Sequence, residues 1–212
     1  MLLAVRRINL SMDFAANLRS PSVKDHCTAA IFLRAEGANG AEHLPALLQR
    51  CQEIDVNGHL DRFEEALLGV GAMTMGNIVG AVGFDSENAL HVAILQWIVK
   101  STASANTKVA AHSIYGLGNI GFRHPMAIEC LSDLVTSDRR TDEHEFVSLR
   151  AIALRILRRL DGEVAATFVE VPAFDEYSRA LEYWMNTTTE SSEDLALELR
   201  TELDWLKKTR DR

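Results

Sequence analysis

The chain has 212 residues, 47% of them hydrophobic and 25% charged, with 30 acidic against 22 basic side chains and a formal net charge of -8. That apolar fraction over that length supplies a core, which excludes a wholly disordered chain. The acidic balance repels nucleic acid and anionic membrane surfaces on average and attracts basic partners.

The N-terminal stretch "MLLAVRR" has five apolar residues followed by basic ones, the wrong order and length for a secretory signal, and no run reads as the ~18 apolar residues of a membrane span. Cys27, Cys51 and Cys130 are odd in number and lack paired spacing, which fits neither a disulfide framework nor a zinc site, so a reducing cytoplasm is the expected compartment. Residues 1–20 read as an N-terminal segment.

From Val23, "VKDHCTAAIFLRAEGANG" predicts a helix ended by Gly37, Asn39 and Gly40; "AEHLPALLQRCQEI" then sets Leu44, Leu47, Leu48 and Cys51 on one helical face. Residues 23–54 therefore form a first helical hairpin. A second, 62–100, runs from "RFEEALLGVGAMTMGNIVG" through a turn whose Asp85 and Ser86 are candidate caps for "ALHVAILQWIVKS". A third, 108–136, pairs "KVAAHSIYGLGNIG" with a helix opened by Pro125, at a position where proline's missing N–H goes unnoticed.

A fourth, 146–171, starts at "FVSLRAIALRILRRLDG", and residues 174–209 read as a two-helix cap with a stripe of Leu195, Leu199, Leu203 and Leu206. Ser191 or Ser192 is placed to cap the last helix.

The hairpins resemble one another. "GNI" at Gly76–Ile78 recurs at Gly118–Ile120, and Ile114, Leu117 and Ile120 reappear as Leu154, Leu157 and Leu160. "VAAHSIYGLGNIG" followed by "HPMAIECLSDLVTSD" resembles a HEAT-like or armadillo-like repeat, with the likeness clearest over residues 62–160 and fainter over 23–54. The resemblance implies an all-α, right-handed solenoid of about four helical hairpins with a C-terminal helical cap, its second helices lining a concave surface.

Gly116, Gly118 and Gly121 have the G-x-G-x-x-G spacing of a dinucleotide-binding loop, but "TKVAAHSIY" ahead of them is no buried strand, and Asp138 is only a positional match for a ribose-binding acid. The expected role of Gly116 and Gly118 is close helix packing, with Gly121 ending the helix in a left-handed conformation. Asp142, Glu143, His144 and Glu145 carry metal-binding atom types, yet consecutive residues on a helix diverge, so a negatively charged helix start is the simpler reading. The histidines lack H-x-x-x-H spacing and no serine lies in a G-x-S-x-G elbow, so no catalytic residue, cofactor or metal is expected.

Arg150, Arg155, Arg158 and Arg159 form the dense basic stretch, read as a solvated face or as partners for the acids of a neighbouring unit rather than as a nucleic-acid site. The expected concave face carries Glu42, Glu53, Glu87, Glu129 and Asp133, and Tyr183 and Trp184 in the cap are candidate partner anchors.

These features point to a non-enzymatic module binding a basic protein or peptide, with no nucleic-acid or membrane partner. By size and charge it resembles immunity proteins that neutralise a basic nuclease toxin. Two alternatives stand beside it: an enzyme on a HEAT-like scaffold, such as the alkylpurine DNA glycosylases or bilin lyases, or a structural subunit of a larger assembly. A glycosylase would want a basic groove, the opposite of this charge.

Overall fold

The structure, a computed structural model, describes residues 12–137, 148–187 and 193–211. It is all-α, with no strand among the described residues. The candidate acid cluster Asp142–Glu145, together with Asp138 and the candidate caps Ser191 and Ser192, lies outside the described residues.

The helices are α1 (Phe14–Arg19), α2 (Val23–Glu36), α3 (Leu44–Gln52), α4 (Arg62–Val82), α5 (Ala89–Ser101), α6 (Thr107–Ile120), α7 (Pro125–Thr136), α8 (Leu149–Leu160), α9 (Gly162–Ala166), α10 (Pro172–Thr187) and α11 (Glu193–Arg210). Helices α2, α4, α6, α8 and α10 pack each on the next, while α3 lies against α5 and α5 against α7.

Local chemistry fixes most of the ends. Asp61 and Glu64 form a reciprocal capping box at α4, the Asp61 carboxylate accepting from Phe63 N and Glu64 N at 2.7 and 2.9 Å while Glu64 accepts from Asp61 N at 2.9 Å. At α5 the cap is Asn88, which accepts from Leu90 N at 2.9 Å, rather than Asp85 or Ser86; Asp85 instead closes its own turn by accepting from Glu87 N. Between α2 and α3 a 3-10 turn, Gly37–His43, takes up residues expected to belong to α3. Pro45 explains the boundary, since proline is accommodated only in a helix's first turn. The helix that follows α8, α9, has only five residues and is capped by Asp161.

The contact between α4 and α6 is backbone on backbone. A Cβ on Gly76 would stand 2.2 Å from the Gly116 carbonyl oxygen, and one on Gly116 would stand 2.7 Å from the Ala72 carbonyl oxygen. Gly121 ends α6 at φ 68, the left-handed conformation expected of it. Asn77 donates to the Arg34 carbonyl on α2 at 3.0 Å, and Asn119 donates to the Met73 carbonyl on α4 at 3.4 Å, so the two "GNI" asparagines each reach back to the preceding helix of the row.

Helix α4 has 21 residues and a mean hydropathy of 1.4 over its most apolar window, long and apolar enough to cross a membrane by length and composition. The sequence reading missed it because Gly, Ala, Met and Thr interrupt its branched residues. In the fold α4 sits between α2 and α6, with 56% of that window buried.

Candidate functional site

The acidic candidates differ in what holds them. Glu53 is held by Arg50 at 2.7 Å, and the Arg50 hydrogen bond, outweighing slight burial, keeps its carboxyl below the ordinary range. Glu42 sits 3.5 Å from His43, and Glu87 lies exposed in the turn before α5. Glu129 and Asp133 are four residues apart on α7 and therefore share a face, opposite the buried Ala127, Leu131, Leu134 and Val135.

Glu129 and Asp133 rim a groove of about 390 Å³ between the end of α5 and α7. Val99, Ala103, Cys130 and Leu134 give it its apolar lining, completed by Thr102 and Ser137. Neither acid has an ion-pair partner among the described residues.

The walls are held by hydrogen bonds at the helix ends. Thr102 donates to the Val99 carbonyl at 2.8 Å and sits 3.3 Å from the Cys130 sulfur. At the other wall His124 Nδ1 accepts from Met126 N at 3.2 Å, and Ser137 donates to the Leu134 carbonyl.

Burial pushes the Cys130 thiol above its ordinary range; the Thr102 hydrogen bond works against this, and the charges of Asp133 and Glu129 work with it. The thiol therefore stays protonated at neutral pH, which makes it poor material for a nucleophile. What remains is an apolar slot with two carboxylates on one lip.

Of the candidate anchors, Tyr183 is 42% exposed on α10, while Tyr177 of the same helix is fully buried. Trp184 belongs to α10, but its side chain lies outside the described part of the structure. Trp97 of α5 is core.

The arginines of α8 pair with acids of the cap. Arg150 Nε donates to Glu176 at 2.7 Å, and Ser148 donates to the same carboxylate. Burial raises Glu176, but the hydrogen bonds from Arg150 and Ser148 outweigh it and hold the carboxyl below the ordinary range. On α11 the buried Glu202 accepts from Arg155 Nε at 3.0 Å and from the Tyr177 hydroxyl at 2.7 Å, with Arg158 at 3.7 Å. Burial first, and then the Glu202 charge, push the Tyr177 hydroxyl well above its ordinary value. Arg159 alone of the four is exposed.

Among the described residues, no group of three or more His, Cys, Asp or Glu side chains is placed to hold a metal ion. Sequence reasoning named the acids of the groove but missed its apolar residues. Val99, Thr102 and Ala103 have helical spacing that marks a stripe, yet nothing local says that α7 stands opposite them.

No protein-family model matches the chain, and comparisons with curated proteins and with solved structures likewise find no match.

Proposed function

We propose that the protein is a non-enzymatic binding module of α-solenoid type, HEAT-like in its repeat, whose groove between α5 and α7 takes a basic, apolar-anchored segment of a protein partner. The row of alternate helices and the paired back-bonds of Asn77 and Asn119 support the repeat reading. One observation carries the functional part: an apolar groove bearing two unpaired carboxylates, Glu129 and Asp133, one helical turn apart on a single lip.

Such a slot rewards an occupant that buries an aliphatic side chain and sets Lys or Arg against the lip, the complementarity that gives specificity and association rate. Neutralisation of a basic protein, in a cytoplasm where Cys27, Cys51 and Cys130 remain thiols, is the biological form this reading takes. Interference with a basic partner's active surface needs no catalytic group of its own.

Cys130 supplies the assay. It lines the groove, whereas Cys27 and Cys51 are buried in the core, so alkylation mapped to Cys130 in alkaline buffer, where the raised thiol yields thiolate, reports occupancy. A synthetic arginine–leucine peptide is expected to slow Cys130 alkylation, with protection fading as salt rises. Replacing Glu129 and Asp133 together by Lys should weaken protection at least about tenfold and flatten its salt dependence. Equal protection in the variant removes the groove from the account.

A further inference from the structure

A second surface has the complementary chemistry. Leu197 on α11 is 65% exposed, the most exposed large hydrophobic side chain among the described residues. It lines a cleft of about 420 Å³ with Arg158 and Arg159 of α8 and with Glu198, Thr201 and Glu202 of α11. Arg200, three residues along α11, flanks Leu197 on the same helical face.

The bases beside Leu197 are not all engaged within the chain. Arg155 and Arg158 are drawn inward to Glu202, and Glu198, the acid nearest Leu197 in sequence, is held by Arg155 at 3.2 Å. Arg159 and Arg200 are exposed and have no ion-pair partner among the described residues. The surface is therefore an exposed leucine with Arg159 beside it in the cleft and Arg200 one turn along α11, its two cleft acids already held by Arg155 and Arg158.

Resting on the groove reading above, we infer that a second copy of this chain is an occupant of the α5–α7 groove, seating its Leu197 on Val99, Ala103 and Leu134 and its Arg159 and Arg200 against Glu129 and Asp133. The two surfaces share no residue, so a molecule using its leucine in one contact keeps its own groove open for another. The contact is heterologous, head to tail, and it propagates beyond a dimer. Charge complementarity selects this occupant: in an acidic chain, Arg159 and Arg200 are uncommitted bases beside an exposed aliphatic side chain, the pairing that the groove presents in reverse.

Sedimentation velocity of the full chain over a roughly hundredfold concentration range tests this. The weight-average mass is expected to climb past twice the monomer's 23.5 kDa and to fall back as salt rises. Two variants sharpen the result: Glu129→Lys with Asp133→Lys disables the groove, and Leu197→Asp with Arg159→Glu disables the leucine surface. Each alone is expected to associate at least about tenfold more weakly. A mixture of the leucine-surface variant, whose groove is intact, with the groove variant, whose leucine is intact, should give a heterodimer and stop there.

A parent chain that remains a monomer, or that stops at a dimer, overturns the inference, as does continued growth in either variant. Protection of Cys130 by the arginine–leucine peptide separates the two readings. If the peptide protects but copies do not associate, self-association alone fails; if neither happens, the groove reading fails with it.

Discussion

The α4–α6 contact and the contact of α8 with α10 and α11 solve the same problem, joining neighbouring helices, by opposite means. At α4–α6 the side chains are removed: Gly76 and Gly116 let carbonyls and Cα atoms touch, and dispersion over a tight backbone interface does the holding. At α8 the side chains are long and charged, with Arg150, Arg155 and Arg158 spanning the gap to Glu176 and Glu202. The first contact is insensitive to salt and pH and intolerant of volume. The second tolerates volume and is sensitive to the loss of either charge, because an unpaired buried ion is the costly species.

The largest effect expected from breaking this contrast is Gly76→Val. Its Cβ would stand 2.2 Å from the Gly116 carbonyl oxygen, a backbone atom with nowhere to go. We expect a loss of about 4 kcal/mol or more in urea unfolding, from forced separation of the two helices. Gly162→Ala is the control: nothing lies within 4 Å of its added Cβ and its φ is not positive, so the substitution should be neutral or stabilise by up to about 1 kcal/mol. Equal midpoints for the two variants would mean that the helices are not in backbone contact.

Next in size is Glu202→Ala, which strands Arg158 and the Tyr177 hydroxyl and leaves Arg155 with the exposed Glu198 in place of a buried carboxylate. A loss of about 3 kcal/mol is expected. Replacing Arg155 by Met and Glu202 by Leu together should recover part of it, since an apolar pair leaves fewer stranded charges than a single deletion does. If the double variant is as unstable as the sum of the singles, the pair is not coupled and the ionic account of the cap is wrong.

These two contacts differ also in how far the sequence discloses them. The small-residue pattern of "IYGLGNIG" announces a close approach, because glycines on a helical face have few other uses, and Gly121 announces the end of α6. The arginines of "RAIALRILRRL" announce only that they need water or acids. Which acids answer depends on how α10 and α11 fold back, information spread over fifty residues rather than carried by any local run. The groove was half legible for the same reason: Glu129 and Asp133 sit at helical spacing on one strand of sequence, while Val99 and Ala103 reach them only through the packing of α5 on α7. Glu42, Glu53 and Glu87 are expected beside them as outward positions of the second helices of a solenoid, a placement that no local run carries, and Glu53 is committed to Arg50.

A smaller effect separates the cap from the centre by pH. The Glu176 carboxyl is held below its ordinary 4.5 in the fold, so its contribution is fully present above the unfolded value and is lost as pH falls through the lower folded value. Glu176→Gln should therefore cost about 1 kcal/mol near neutral pH, discounted for its partial exposure, and the difference from the parent should vanish in acid, once the carboxyl is protonated in the fold as well. A difference that persists in acid would assign the loss to packing rather than charge. The Gly76→Val deficit, by contrast, should be the same at both pH values.

The smallest expected change in stability belongs to the groove. Glu129 and Asp133 are exposed, have no ion-pair partner among the described residues, and together bring two like charges to one helical turn. Replacing both by Lys should move the unfolding midpoint by no more than about 0.5 kcal/mol, within the range of ordinary surface changes. Against the several-fold or larger loss expected in Cys130 protection, that near-neutrality is the informative result. A residue pair that contributes nothing to its own fold, placed on an apolar groove, is what the proposed binding surface requires and what both interfaces compared above lack: charges left for another molecule to compensate. A substantial stability change on Lys substitution would instead place Glu129 and Asp133 among the groups that hold α7 in place, and the groove would lose its claim to be a site.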